Sequence, residues 1–350
     1  NMSDSNAFTM TPKDISARVL VQEHLAHEHL KNMPSIVDVG AQKKRIKRLL
    51  TQQNATLVAH YYTDASVQEL TEETGGCISD SLEMARFGSQ TAASTLIVAG
   101  VHFMAETAKM LSPHKTVLLP DLKAGCSLAD ATPLDAFVAF KKQHPDAVVV
   151  SYINCSAAIK AESDYICTSS NAVDIVNAIP KDKKISCAPD KNLGMYVQKV
   201  TGRELILWDG ACMVHEAFSI DKILKLYAEN PGAVIIAHPE SEAHLLKVAK
   251  YVGSTSGLLN YVKNSKAKTF IVATEVGILH KMRQESPNKI LIPAPVEDDS
   301  CNCSECFYMK MNTMKKLYLC LKHELPKVEV DSELSKKALV SIERMLELSK

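Results

Sequence analysis

The strongest constraint on what this chain can fold into is an internal repeat. Three segments read as one short apolar strand ending in polar residues: Ala55–Tyr62 (ATLVAHYY), Ala147–Asn154 (AVVVSYIN) and Ala233–Glu240 (AVIIAHPE). Each leads on to a Ser/Thr/Gly turn before an apolar-periodic segment, at Ser79-Asp80-Ser81, Thr168-Ser169-Ser170 and Gly253-Ser254-Thr255-Ser256. A second strand is predicted at Leu96–Ala99, Ile185–Ala188 and Phe270–Ala273. A helix follows, then a third strand at Thr116–Leu119, Glu204–Leu207 and Lys289–Ile292. Every pass closes on a cysteine, Cys126, Cys212 and Cys306, at intervals of 86 and 94 residues.

Short strands alternating with helices of about 12 residues specify parallel sheets covered by helices on both faces. The expected fold class is α/β, as three homologous three-layer α/β/α units with parallel sheets arranged around a central active site. Ligands of open parallel sheets bind beyond the carboxyl ends of the strands, where all the polar punctuation falls. The expected segments are an N-terminal helical segment over 1–50, repeats over 51–130, 131–220 and 221–325, and a C-terminal helix over 326–350. Residues 13–50 read as helical, with His24, His27 and His29 on a solvated face. Residues 331–349 read as an amphipathic helix capped by Asp331 or Ser332.

Composition works by exclusion. Of 350 residues, 46% are apolar, which suits globular cores rather than disorder. Lys plus Arg and Asp plus Glu number 40 each, so there is no basic stripe for nucleic acid or an anionic membrane. A small anionic substrate is expected to meet at most a local cluster of positive groups. The longest apolar stretches, such as Thr95–Met104, are about half of the ~20 residues a membrane span needs. The N-terminal residues show no basic region followed by an apolar core, so a cytoplasmic location and reduced thiols are expected for the ten cysteines. Cys155, Cys167, Cys187 and Cys320 lie in apolar segments and read as core.

Three cysteines at equivalent repeat positions suit a [4Fe–4S] cluster held by three thiolates. Such clusters usually have four cysteine ligands, and a missing fourth leaves one iron open as a Lewis acid for hydroxyl or carbonyl oxygen. Cys212 and Cys306 each precede a segment read as helical, whose N-terminus favours a thiolate. Cys301-x-Cys303-x-x-Cys306 offers a rival reading as half of a zinc site. His60, Tyr62, His238 and Glu240 fall at strand ends where a core would not want them, and are suited to binding carboxylate or moving protons. Ser81, Ser169 and Thr255 precede helices, where they act either as simple N-caps or, taken together, as anion sites. No phosphate-loop or dinucleotide fingerprint is present.

At these residues the sequence resembles the quinolinate synthase (NadA) family over essentially its whole length. The resemblance is carried by VAHYYTD (58–64), TGGCISDSLEMARFG (74–88), VAGVHFMAETAK (98–109), APDKNLGMYVQK (188–199), DGACMVH (209–215), HPES (238–241), VGSTSGL (252–258) and CFYMKMN (306–312). It implies an enzyme that condenses iminoaspartate with dihydroxyacetone phosphate to quinolinate, phosphate and water in NAD biosynthesis. It implies a [4Fe–4S] cluster on Cys126, Cys212 and Cys306. It further implies a dicarboxylate and triose site lined by His60, Ser81, Tyr152, Asn154, Ser169, His238, Glu240 and Thr255, with Tyr62 and His215 beside it. Tyr62, His238 and Glu240 are the expected proton-transfer residues. Transient contact with the enzyme that oxidises aspartate is a further implication. Many relatives carry Cys-x-x-Cys-x-x-Cys at the last cysteine site, whereas this chain has Cys-x-Cys-x-x-Cys. Two other readings stand beside this one. The first is an aconitase-like hydro-lyase acting on another dicarboxylate, and the second a non-catalytic metal-binding regulator.

Overall fold

The computed structural model describes residues 12–300 and 303–350. It contains three four-stranded parallel sheets. The first is built from β1 (Ala55–His60), β2 (Cys77–Ser79), β3 (Thr95–Ala99) and β4 (Thr116–Leu118). The second holds β5 (Ala147–Tyr152), β6 (Tyr165–Cys167), β7 (Lys184–Ala188) and β8 (Ile206–Leu207). The third holds β9 (Val234–Ala237), β10 (Tyr251–Val252), β11 (Thr269–Ala273) and β12 (Ile290–Pro293). Strand order is the same in all three, β2-β1-β3-β4, β6-β5-β7-β8 and β10-β9-β11-β12. The chain leaves the opening strand on one side and returns on the other, which makes its carboxyl end the point where a ligand crevice opens.

Each unit therefore has four strands, where the sequence pattern predicted three. The additional strands β2, β6 and β10 span only two or three residues and follow the short helices Ala65–Glu73, Ala157–Ala161 and Ala243–Leu246. An element that short has no periodicity to read. The expected helix over 13–50 is also two helices, Pro12–Asn32 and Val39–Gln52. Pro34 breaks the run by lacking an N–H and pushing its predecessor out of the α region. Asp38 restarts the run, accepting the Ala41 N–H at 3.0 Å.

Two late segments complete cores begun much earlier. Helix Met314–His323 lays Leu317, Cys320 and Leu321 against Leu57 and Ile97 of the first sheet, together with Ile46 and Leu50. Helix Ser332–Leu348, capped by Asp331 through the Leu334 N–H at 2.9 Å, packs on helix Ala157–Ala161, on β6 and on helix His102–Leu111. Its Ala338, Ile342 and Met345 are fully buried. Cys155, Cys167 and Cys320 are buried, as expected of core cysteines, and Cys187 is half-buried. No helix among the described residues is long and apolar enough to cross a membrane.

Candidate active site

The register of the sheets brings three sets of side chains to equivalent places. Ala59 pairs with Ala99, Ser151 with Ala188 and Ala237 with Ala273, so these pairs mark one level in three sheets. The next residues along the opening strands are His60, Tyr152 and His238, and two residues further stand Tyr62, Asn154 and Glu240. On the neighbouring short strand, Ser79 faces His60, Cys167 faces Tyr152 and Val252 faces Ala237. That register puts Ser81, Ser169 and Thr255 at a third shared position. All nine line one cavity of about 560 Å³, and Cys126, Cys212 and Cys306 line it too.

The imidazoles are fixed by their own backbone. Nδ1 of His60 accepts the Tyr62 N–H at 3.1 Å, and Nδ1 of His238 accepts the Glu240 N–H at 3.1 Å. A nitrogen that accepts carries no proton, so both rings are assigned the tautomer with the proton on Nε2. Burial drives the pKa of each down to about 3, so both stay neutral at neutral pH. Nε2 of His238 lies 3.2 Å from Ser169 Oγ. The ring donates there, which leaves the serine proton available to a ligand.

Glu240 places a carboxylate among the polar residues of all three repeats. Burial opposes its ionisation, but His238, His215 and the Tyr152 hydroxyl around it prevail and hold it well below the usual carboxylate range. Tyr152 donates to its Oε1, and His215 Nδ1 lies 2.8 Å from its Oε2. Burial, followed by the charge of Glu240, pushes the phenols of Tyr62 and Tyr152 well above their ordinary value. Both are neutral donors at neutral pH.

The turn hydroxyls are not caps. Asp80 caps helix Ser81–Gln90 through the Glu83 N–H, and Ser254 caps helix Thr255–Asn264 through the Gly257 N–H. The following residues, Ser81 and Thr255, are left to face the cavity. No Lys or Arg lines the cavity among the described residues, and the anion-binding capacity lies in hydroxyls, an amide and neutral imidazoles.

The three cysteines fit a shared cationic group. Cys126 caps helix Ser127–Asp130, with the amides of Leu128 and Ala129 turned toward its sulfur. The His215 amide does the same for Cys212, and those of Met309 and Tyr308 for Cys306. Despite these donors, burial raises all three thiols, Cys126 to about 12, and Glu240 adds to the rise at Cys126 and Cys212. A bound metal group supplies the positive charge that reverses this. Asn154 Nδ2 lies 3.9 Å from Cys126 Sγ, a further donor toward sulfur. Cys306 is followed by a turn and the 3₁₀ segment Met309–Met311 rather than by the helix read from sequence, which starts only at Met314. Thr313 starts that helix, accepting the Lys316 N–H. Of the rival zinc cluster, Cys303 also lines the cavity and Cys301 lies outside the described residues. A different trio, Cys212, His215 and Glu240, brings its ligand atoms within 4.8 Å of one another.

Sequence reasoning gave His215 only a place beside the site and gave Thr274 none. His215 sits 3.2 Å from Cys212 Sγ as well as against Glu240, and joins the first sheet through Thr274, whose Oγ1 is 2.9 Å from His215 Nε2 and 2.9 Å from Tyr62 OH. The signal for Thr274 is slight. It continues β11 as Thr-Glu, where the equivalent positions in the other repeats are Gly100 and Pro189.

Three α/β/α repeats opening onto one shared cavity, with a central carboxylate, neutral acid–base groups and three convergent cysteines, form the framework of an enzyme active site. Residues 44–347 match the family described as "Quinolinate synthetase A protein". The chain is 52% identical to the quinolinate synthase of Thermosynechococcus vestitus, over 90% of this chain and 97% of that protein. It is 52% identical to that of Chloroherpeton thalassium, over 88% and 94%, and 54% identical to that of Microcystis aeruginosa, over 87% and 94%. The chain belongs to the quinolinate synthase family.

Proposed function

We propose that this chain condenses iminoaspartate with dihydroxyacetone phosphate to quinolinate, phosphate and water, as a condensing transferase of NAD biosynthesis. In this reading Cys126, Cys212 and Cys306 hold a [4Fe–4S] cluster. One observation carries the proposal: each of three repeats delivers one cysteine and a matched set of strand-end polar residues into the same cavity. Bound there by three thiolates, the cluster would supply a Lewis acid for hydroxyl or carbonyl oxygen.

The remaining work falls to the chain's own groups. Ser81, Ser169, Thr255 and the Nε2–H of His60 orient the carboxylates of iminoaspartate and the oxygens of the triose. As neutral donors they orient anions without the desolvation cost of buried counter-charges. Asn154 and Tyr152 complete the wall from the second repeat. Glu240, ionised and held by Tyr152 and His215, accepts protons from carbon and nitrogen as the ring forms. Tyr62 and the Nε2–H of His238, both neutral donors, hydrogen-bond to the leaving oxygens as charge builds on them.

Oxygen-free preparation, iron and sulfide analysis, and incubation with iminoaspartate and dihydroxyacetone phosphate test the proposal. About four irons and four sulfides per chain are expected, with quinolinate as product. Active protein holding one zinc or iron ion and no sulfide overturns the cluster and favours the Cys212–His215–Glu240 trio. Absence of quinolinate from iron-replete protein overturns the function.

A further inference from the structure

Thr274 is buried (3% exposed), and it is not among the residues lining the cavity. Its hydroxyl is nevertheless the joint between two that do line it, 2.9 Å from Tyr62 OH and 2.9 Å from His215 Nε2. From this geometry we propose that Thr274 is a positioning residue, whose hydroxyl holds Tyr62 and His215 in their places at the cavity wall. The inference rests on the reading of this cavity as the quinolinate-forming site.

The joint ties the three repeats together. Tyr62 OH also meets Thr255 Oγ1 at 2.9 Å, and His215 Nδ1 lies 2.8 Å from Glu240 Oε2. The chain Thr255–Tyr62–Thr274–His215–Glu240 thus draws on all three repeats, with Thr274 at its middle. Removing the Thr274 hydroxyl leaves Nε2 of His215 unpaired in a buried place and frees the Tyr62 hydroxyl to turn toward Thr255. Tyr62 and His215 then lose their fixed placement without any change in the shape of the site.

The test uses the cluster-loaded enzyme with Thr274→Val, which keeps the shape, and Thr274→Ser, which keeps the hydroxyl. Expected for Thr274→Val is a kcat lowered by at least tenfold, a KM within about twofold of wild type, and unchanged iron content and thermal midpoint. Thr274→Ser is expected to return kcat to within about threefold of wild type. Outer-shell partners of active groups generally cost 10–100-fold on removal. A Val variant with wild-type kcat, or a Ser variant as impaired as Val, overturns the proposal. If Val lowers the thermal midpoint, the Tyr62→Phe background decides: a second full loss on adding Thr274→Val shows that Thr274 does not act through Tyr62 and overturns it, whereas a loss no greater than about twofold supports it. Wild-type enzyme that makes no quinolinate sinks the functional reading itself, so the two failures are told apart.

Discussion

His60 and His238 occupy the same position in the first and third repeats, and each turns Nδ1 back to accept the N–H of the residue two places on, at 3.1 Å. A backbone that holds an imidazole this way turns a titratable base into a rigid neutral donor. Tyr152 fills the same place in the second repeat and is likewise a neutral donor, aimed at Glu240.

This neutrality has a pH signature. The pKa of each ring is lowered from 6.5 to about 3, so below pH 6.5 the unfolded chain takes up protons that the native one refuses. The stabilisation that neutral His60 and His238 provide is complete above 6.5 and is lost as pH falls toward 3, on the order of 1.4 kcal/mol per pH unit for each ring. Urea unfolding between pH 6.5 and 5 is expected to show a shallower acid loss for His60→Gln and His238→Gln than for wild type. Equal slopes would contradict the assignment.

Glu275 gives the opposite sign. It is fully buried beside Lys310 (3.5 Å), its Oε1 accepts the Gly277 N–H at 2.8 Å, and Oε2 has no hydrogen-bond partner among the described residues. Burial raises its pKa to about 7, only partly countered by Lys310. The native state therefore keeps a proton that the unfolded state gives up, and stability falls as pH rises from 4.5 to 7. Glu275→Gln is expected to flatten that fall in unfolding measurements across the same range.

Glu240→Gln removes the negative charge that Tyr152 and His215 hold at the site and makes half of the acceptor a donor. Turnover is expected to drop by roughly 10² or more, while iron and sulfide content stay at the wild-type level. A rate within a few fold of wild type would reduce Glu240 to a packing role.

Among the cysteines, Cys306→Ser is expected to lose most of the iron and all useful activity, as are Cys126→Ser and Cys212→Ser. Cys303→Ser is expected to keep both. The amides of Met309 and Tyr308 turn toward Cys306 and favour its thiolate. Colourless, inactive Cys303→Ser protein beside a brown, active Cys306→Ser would reverse the assignment.

Ile342→Ala opens a hole where the last helix meets the second repeat. Its side chain is fully buried, so a loss of about 2–5 kcal/mol in unfolding free energy is expected.

Much of the architecture was legible because polar residues ending apolar strands break a simple pattern at three matching places. His60, His238 and Glu240 stood out for that reason, and the cysteines by their spacing. The rest depended on pairings that local pattern does not carry. The strands β2, β6 and β10 are too short for periodicity. Thr274 looks like any strand-end threonine until Tyr62 and His215 arrive on either side of it. The Ser/Thr turns were legible as anion sites, and the cavity sets their hydroxyls beside uncharged rings, with no Lys or Arg among the described residues that line it.

The packing of helix Met314–His323 against β1 and β3 bears on how the chain leaves the ribosome. The first repeat is complete in sequence by Cys126, yet Leu57 and Ile97 are covered by side chains synthesised some two hundred residues later. Its far strand is likewise bridged by the closing segment, where the Val328 N–H meets the Val117 carbonyl at 2.9 Å and Leu118 pairs with Lys327. The nascent first unit therefore emerges with an open apolar face and a bare strand edge, features that invite association with other chains. Three look-alike units held in this way are expected to melt as one cooperative body, and the first should gain its full protection only once the segment 314–328 has been made.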